Sequence, residues 1–191
     1  NNIELDYNIK KNRNHFFTII NFFLKKGEIS NAYNMINKRN ISDDENYSFY
    51  KQIELNYLLS TFQLEQVCSL QEELINKINL ENYLLEKIDI FCLILNNEIL
   101  EAELRNSILV ETEKNIDQNF QELYNYIIDK ESSSNMENLK LDQSITNNMI
   151  YLYSAILRIA ELPLDEKFLN IDFKNFAIPI LLNTANSPQI R

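Results

Sequence analysis

The sequence predicts an all-α protein built from antiparallel helix hairpins, and three observations carry that expectation. Apolar residues recur at steps of three and four along most of the chain, without strand-like alternation. One Gly and three Pro in 191 residues are too few turn-formers for a β-rich fold and too few glycines for a phosphate-binding loop. Finally, LKKGEISNAY (24–33), LSTFQLEQVC (59–68) and LNNEILEAEL (95–104) can be laid over one another at a spacing of roughly 35 residues, the length of a two-helix repeat.

Each element follows from apolar spacing and end signals. The first helix is expected over residues 14–26, with Phe16, Ile19, Ile20 and Phe23 on one face. Gly27, the sole glycine, falls where a helix end takes a left-handed residue. A return helix carries Ile29, Ala32, Tyr33 and Ile36. In ISDDE (41–45), Ser42 and Glu45 have the spacing of a capping box. It would open a helix over 43–60 with Tyr50, Ile53, Tyr57 and Leu58 on its buried face, and the partner over 63–77 offers Leu64, Val67, Cys68, Leu74 and Ile75. In the third pair, Leu80, Tyr83, Leu84, Ile88, Phe91, Cys92 and Leu95 make one continuous stripe. Ile99, Leu100, Leu104, Ile108 and Leu109 are expected to form the apolar side of its return helix, with Glu101 and Arg105 spaced for an exposed ion pair. A helix over 117–129 repeats the stripe through Phe120, Leu123, Tyr124, Ile127 and Ile128.

The organisation read from this is an N-terminal extension (1–12), a helical-repeat region (13–130), a polar flexible loop (131–144) and a C-terminal helical cap (145–191). DKESSSNMENLKLDQS (129–144) is serine-rich and lacks periodicity. Beyond it, Ile145, Met149, Leu152, Tyr153, Ile156, Leu157 and Ala160 mark a helix that ends before Pro163. The tail reads as a shorter helix that Pro179 starts, kinks or interrupts. Residues 178–182 are apolar enough to pack on the last hairpin or to dock a continuing chain.

The first copy resembles a tetratricopeptide (TPR) repeat. Its large residues Phe16, Ile19, Ile20 and Phe23, the turn residue Gly27 and the small residue Ala32 fall at that pattern's positions. In the later copies Val67 and Glu103 replace the alanine, and Phe62 and Glu98 replace the glycine. The resemblance spans about residues 13–109. It implies a degenerate, right-handed TPR-like stack of antiparallel hairpins, an α-α superhelix with C-terminal capping helices. VCSL (67–70), LLEKIDIFCLIL (84–95), EAEL (101–104), NFQELYNYI (119–127) and RIAELP (158–163) also resemble an uncharacterised, usually exported alphaproteobacterial helical-repeat family. That resemblance implies a periplasmic or otherwise exported location, with the cytoplasm as the alternative, and brings no activity.

Composition narrows the function classes. Hydrophobic residues at 45% and charged residues at 24% suit one globular domain of this length. Asn, roughly one residue in seven, reads as neutral surface filler from AT-rich coding. A net charge of −10 without a basic run argues against nucleic acid and against an anionic membrane surface. No apolar run is long and uncharged enough to span a bilayer. The expected partner is a protein or peptide, a basic one if charge guides the encounter. The chain begins NNIELDYNIKK without Met, which suggests a trimmed or mature exported form, or a fragment.

No catalytic or metal constellation is visible, and no cofactor is expected. His15 is the only histidine and stands outside any motif. The many carboxylates lack the opposed environments that separate paired catalytic acids, and no Glu-x-x-His spacing occurs. Cys68 and Cys92 lack CxxC spacing but fall on consecutive antiparallel helices, about three residues (~4.5 Å) out of step along the axis. A disulfide and two buried thiols both fit that arrangement, and the compartment decides between them.

The remaining constellation is the concave face, which TPR-like stacks use for binding. In the frame set by the three turns it receives Phe17, Asn21 and Lys25, then Phe49, Gln52 and Asn56, then Leu85, Ile88 and Asn96. Stacked amides beside aromatics suit an extended peptide backbone. The leading reading is a non-enzymatic scaffold that binds a peptide or protein there. The alternatives are a carrier of a small apolar ligand or lipid, and a structural domain packing on the rest of a longer chain.

Overall fold

The structure, a computed structural model, describes residues 2–128 and 149–162, with side chains from residue 12 onward. Within them every regular element is helical: α1 (Asn2–Lys25), α2 (Ile29–Asn37), α3 (Tyr47–Ser60), α4 (Leu64–Leu74), α5 (Leu84–Leu95), α6 (Ile99–Thr112), α7 (Gln118–Ile128) and α8 (Ile150–Ile159), with a 3-10 turn, Glu81–Tyr83, ahead of α5. The expectations for residues 131–144 and for the tail beyond Pro163 lie outside the described residues.

The hairpins are set by one turn geometry used repeatedly. α1, α3 and α5 each end in a left-handed residue: Gly27 (φ 75°), Phe62 (φ 60°) and Asn97 (φ 63°), spaced 35 residues apart. The following amide reaches back to close the turn, Glu28 to the Phe23 carbonyl (2.9 Å), Gln63 to Leu58 (2.9 Å) and Glu98 to Leu93 (2.8 Å). This is the Schellman arrangement, which satisfies carbonyls the helix leaves open. The second helix then starts at Ile29, Leu64 or Ile99. α8 ends the same way, with Glu161 at φ 60° and Leu162 N–H donating to the Leu157 carbonyl (2.9 Å).

This geometry corrects the sequence alignment by one residue in the third copy. The turn residue is Asn97, not Glu98, and the return helix opens at Ile99, not Leu100. The small position is then Ala32, Val67 and Ala102, each 0% exposed, whereas Glu103 points to solvent. The third copy therefore keeps the alanine. Asn tolerates the left-handed region better than most residues with a Cβ, so no glycine marked the turn in the sequence.

Other boundaries shift for local reasons. α1 begins at Asn2, so the expected extension over 1–12 continues the first helix. The capping box does not form. The Asn40 carboxamide oxygen accepts from both the Ser42 backbone (3.2 Å) and hydroxyl (2.8 Å), and Asp44 accepts from the Asn46 amide (3.0 Å). These side-chain turns compete with helix formation, and α3 starts only at Tyr47. Likewise Leu80 and Tyr83 fall before α5, in a segment where Asn82 and Tyr83 have positive φ.

Each helix from α1 to α5 packs on the next, α7 packs on α5, and α8 lies against α3 and α7. Phe16 meets Tyr50 edge-on (5.4 Å between centroids) and Phe17 meets Phe49 (5.3 Å), joining α1 to α3. α5 is the central helix, with Leu84, Leu85, Ile88, Ile90 and Phe91 all buried. α8 is buried nearly all round, the pattern of a helix enclosed by others rather than laid on a surface.

Because the hairpins close over a side chain the size of alanine, Ala102→Leu should overpack α6 against its neighbours. The expected loss is about 1–3 kcal/mol in urea unfolding. Unchanged stability would show that the helices do not approach closely there.

Candidate functional site

The 35-residue register sorts the expected inner-face residues into columns. Phe17, Gln52 and Lys87 occupy one equivalent place; Asn21, Asn56 and Phe91 occupy the next. Ile88, expected on the groove, is 0% exposed and Leu85 is 1% exposed, so neither faces a partner. Asn56 is buried as well. The reason is tertiary: α8 packs on α3, and α4, α6 and α7 pack on α5, neighbours that local spacing in the sequence does not place. Asn21 is half-buried and spends its N–H on the Phe17 carbonyl of its own helix (2.9 Å). Phe17 and Phe49 come together as a ring pair, and Lys25 is exposed at the end of α1. On α3, the Gln52 amide nitrogen and the Asn56 amide oxygen have no hydrogen-bond partner among the described residues. They form a donor and an acceptor one turn apart, the complement of a bridging water.

Lys87 is the residue that the one-residue slip concealed. It sits in the apolar stripe of α5, 0% exposed, where Phe17 and Gln52 sit in the earlier hairpins. Its ammonium bridges Glu113 (2.8 Å) and Asp117 (2.9 Å) and lies 5.8 Å from the Phe120 ring centroid. Asp117 also accepts from the Phe120 amide (3.1 Å), capping α7, and from the Tyr153 hydroxyl of α8. Burial first, then the Asp117 charge, raises the Tyr153 phenol far above its ordinary value, so it remains a donor. One buried cation thus ties α5, the α6–α7 link, α7 and α8 together. Lys87 itself is fully enclosed and Asp117 keeps only 15% of its side chain exposed, and removing one partner of such a cluster is costly because the others stay buried and uncompensated.

Neighbouring hairpins are joined by further matched contacts. Tyr33 of α2 stacks on Tyr57 of α3 (3.9 Å, 17° between planes). Thirty-five residues on, the same two places hold Cys68 of α4 and Cys92 of α5, which form a disulfide with a Cα–Cα distance of 5.7 Å. Buried amides make analogous links. Gln71 donates to Asp89 (3.2 Å), and its equivalent Asn106 exchanges two hydrogen bonds with Gln121 (2.9 and 2.8 Å). Burial raises the Asp89 carboxyl above its usual range, with Arg105 opposing.

The outer face of the second helices holds the least expected feature. On α6 the residues turned inward are Ala102, Asn106 and Leu109. Leu100, Leu104 and Ile108, read from the sequence as the apolar side of the hairpin, are exposed by 83%, 54% and 48%. The equivalent exposed row is Ser30 and Asn34 on α2 with Lys38 just past its end, and Glu65, Ser69 and Glu73 on α4. The aliphatic row belongs to the third hairpin alone among the described ones. Beside the α4 row lies an open cleft of about 450 Å³ lined by Tyr33, Leu58, Glu54, Glu65, Ser69 and Glu73.

Among the described residues no cluster of three or more His, Cys, Asp or Glu side chains could hold a metal ion, and His15 stands exposed on α1. No described helix is long and apolar enough to cross a membrane. Comparison with protein-family models, curated proteins and solved structures found no match.

Two variants probe these links. Tyr153→Phe should cost about 1–3 kcal/mol at neutral pH by depriving Asp117 of a donor. Because the folded phenol holds its proton more tightly than the unfolded one, its contribution is complete below about pH 10 and falls as pH rises further. The variant should therefore lose stability less steeply than the parent across pH 10–12, read from urea midpoints. Separately, replacing both Cys68 and Cys92 by alanine, or reducing the bridge, should lower stability by about 3 kcal/mol. Free alkylatable thiols in protein from its native compartment would remove the bridge.

Proposed function

We propose that the chain is a non-enzymatic helical-repeat interaction module, a right-handed TPR-like stack that binds a protein or peptide partner in an oxidising, exported compartment. The 35-residue register, close to the roughly 34 residues of TPR units, supports the repeat reading. The Cys68–Cys92 bridge supports the compartment, since such bonds persist in oxidising surroundings. The partner surface moves from the concave face, where Asn56 and Ile88 are buried, to the outer face of α6. One observation carries this: Leu100, Leu104 and Ile108 face solvent in a row that the preceding hairpins fill with polar side chains. Scattered exposed leucines are ordinary, but a contiguous apolar row on one helix marks a contact surface.

A photo-crosslinking residue placed at Leu104 should trap a discrete partner in the native cell, whereas the same residue at the equivalent Ser69 should not. Adducts of equal yield at both positions, or at neither, would sink this reading.

A further inference from the structure

The α6 row defines not only a contact surface but the chemistry of what covers it, and the inference rests on the interaction reading above. We propose that the outer face of α6 binds a single basic amphipathic helix: an aliphatic ridge that lies along Leu100, Leu104 and Ile108, flanked by Lys or Arg.

The shape comes from the spacing. Residues at i, i+4 and i+8 form one straight ridge of about two turns, and such a ridge interdigitates with the equivalent ridge of another helix. The exposed residues on either side are short or polar, so the apolar area is one helix wide. A stable protein–protein contact covers about 800 Å² on each partner, and three aliphatic side chains supply only a fraction of that. A second folded copy docked on this row alone would be under-supported, whereas a helix in a groove needs little more than such anchors.

Charge selects the sign of the flanks. Glu101, Glu103 and Glu111 stand on α6 around the ridge against one cation, Arg105. That cation is already bridged to Glu101 (3.0 Å) and lies 3.8 Å from Asp89. On α4 the equivalent row carries Glu65 and Glu73 and edges the cleft that Glu54 also lines. The protein as a whole carries −10. Pairing two copies through this face would bring carboxylates together, and an anionic membrane would be repelled. A basic helix gains on both counts, in steering and in the flanking pairs.

The probe is a synthetic amphipathic peptide of about 18 residues, roughly five helical turns, with leucines along one ridge and lysines beside them. Its control carries glutamates in place of the lysines. With the full chain, fluorescence anisotropy should show the lysine peptide binding at least tenfold more tightly than the glutamate peptide, and more weakly as salt rises. The double substitution Leu100→Ser, Leu104→Ser copies the polar chemistry of the earlier hairpins. It should reduce affinity at least tenfold while leaving the thermal midpoint in place. Glu103→Lys with Glu111→Lys should narrow the preference between the peptides without abolishing binding.

Equal binding of both peptides, lost in the serine variant, would overturn the charge inference while leaving the interaction reading intact. Concentration-dependent dimerisation abolished by the serine variant, with no peptide binding, would assign the face to a second copy. Flotation with phosphatidylglycerol vesicles that depends on Leu100 and Leu104 would assign it to a membrane. Either of the last two outcomes overturns the proposal, as does absence of binding to any probe. If absence of binding coincides with no crosslink at Leu104, the interaction reading falls with it.

Discussion

A helix that stops on a left-handed residue and hands its chain to a second helix within two residues has little freedom left. The two rods must run back along each other, and the distance between them is set by whatever side chain first meets the partner. Gly27, Phe62 and Asn97 impose that reversal, and Ala32, Val67 and Ala102 set the approach. Because the pair of conditions returns every 35 residues, equivalent places on successive hairpins face equivalent neighbours. The placement of Lys87, of the two cysteines and of the α6 ridge depends on that register. Phe62 adopts a conformation that costs a residue with a Cβ about 1 kcal/mol, and the Arg158 guanidinium over its ring (4.0 Å) helps to hold it.

Given the register, the junctions between hairpins read as one contact solved with different chemistry. Between the first and second hairpins it is a tyrosine stack; between the second and third it is a disulfide. Non-directional burial tolerates a wide choice of side chains at such a junction, whereas polar links must find complete partners. Gln71 with Asp89 meets that condition between α4 and α5, and Asn106 with Gln121 meets it between α6 and α7. Lys87 meets it most fully, because its two carboxylates and the Tyr153 hydroxyl fasten α8 to the third hairpin and to α7.

The placement of α8 decides which surfaces are open. This helix packs on α3, the helix that carries Gln52 and Asn56, while Lys87 on α5 is enclosed by Glu113, Asp117 and the Phe120 ring. Asn56 and Ile88 are core, whereas the outside of α6 keeps its aliphatic ridge and carboxylate margins in solvent, the surface proposed above for a partner. On that proposal, the stabilising contacts and the binding surface lie on opposite sides of the same hairpin. The inner side is closed by a buried ion cluster, and the outer side stays uncommitted.

Much of this was legible in the residues and the rest was not, for identifiable reasons. The helices, their approximate ends and the repeat length depend on local forces: apolar rhythm, turn chemistry and the scarcity of glycine. Most could be read directly; the exceptions are α1, which already begins at Asn2, α3, where Asn40 and Asp44 draw the backbone into side-chain turns, and α5, which starts only after the left-handed Asn82 and Tyr83. The third turn was misplaced by one residue because Asn97 adopts a conformation that glycine announces and asparagine does not, and that slip hid Ala102 and Lys87 together. Which face of each helix is buried was decided only by the neighbours. On α6 a row of leucine and isoleucine lies outside while alanine and asparagine lie inside, because close helix approach selects small side chains over greasy ones. By itself the sequence determined the rods and their period; the tertiary structure decided what each rod conceals, since burial belongs to a pair of surfaces and not to either one.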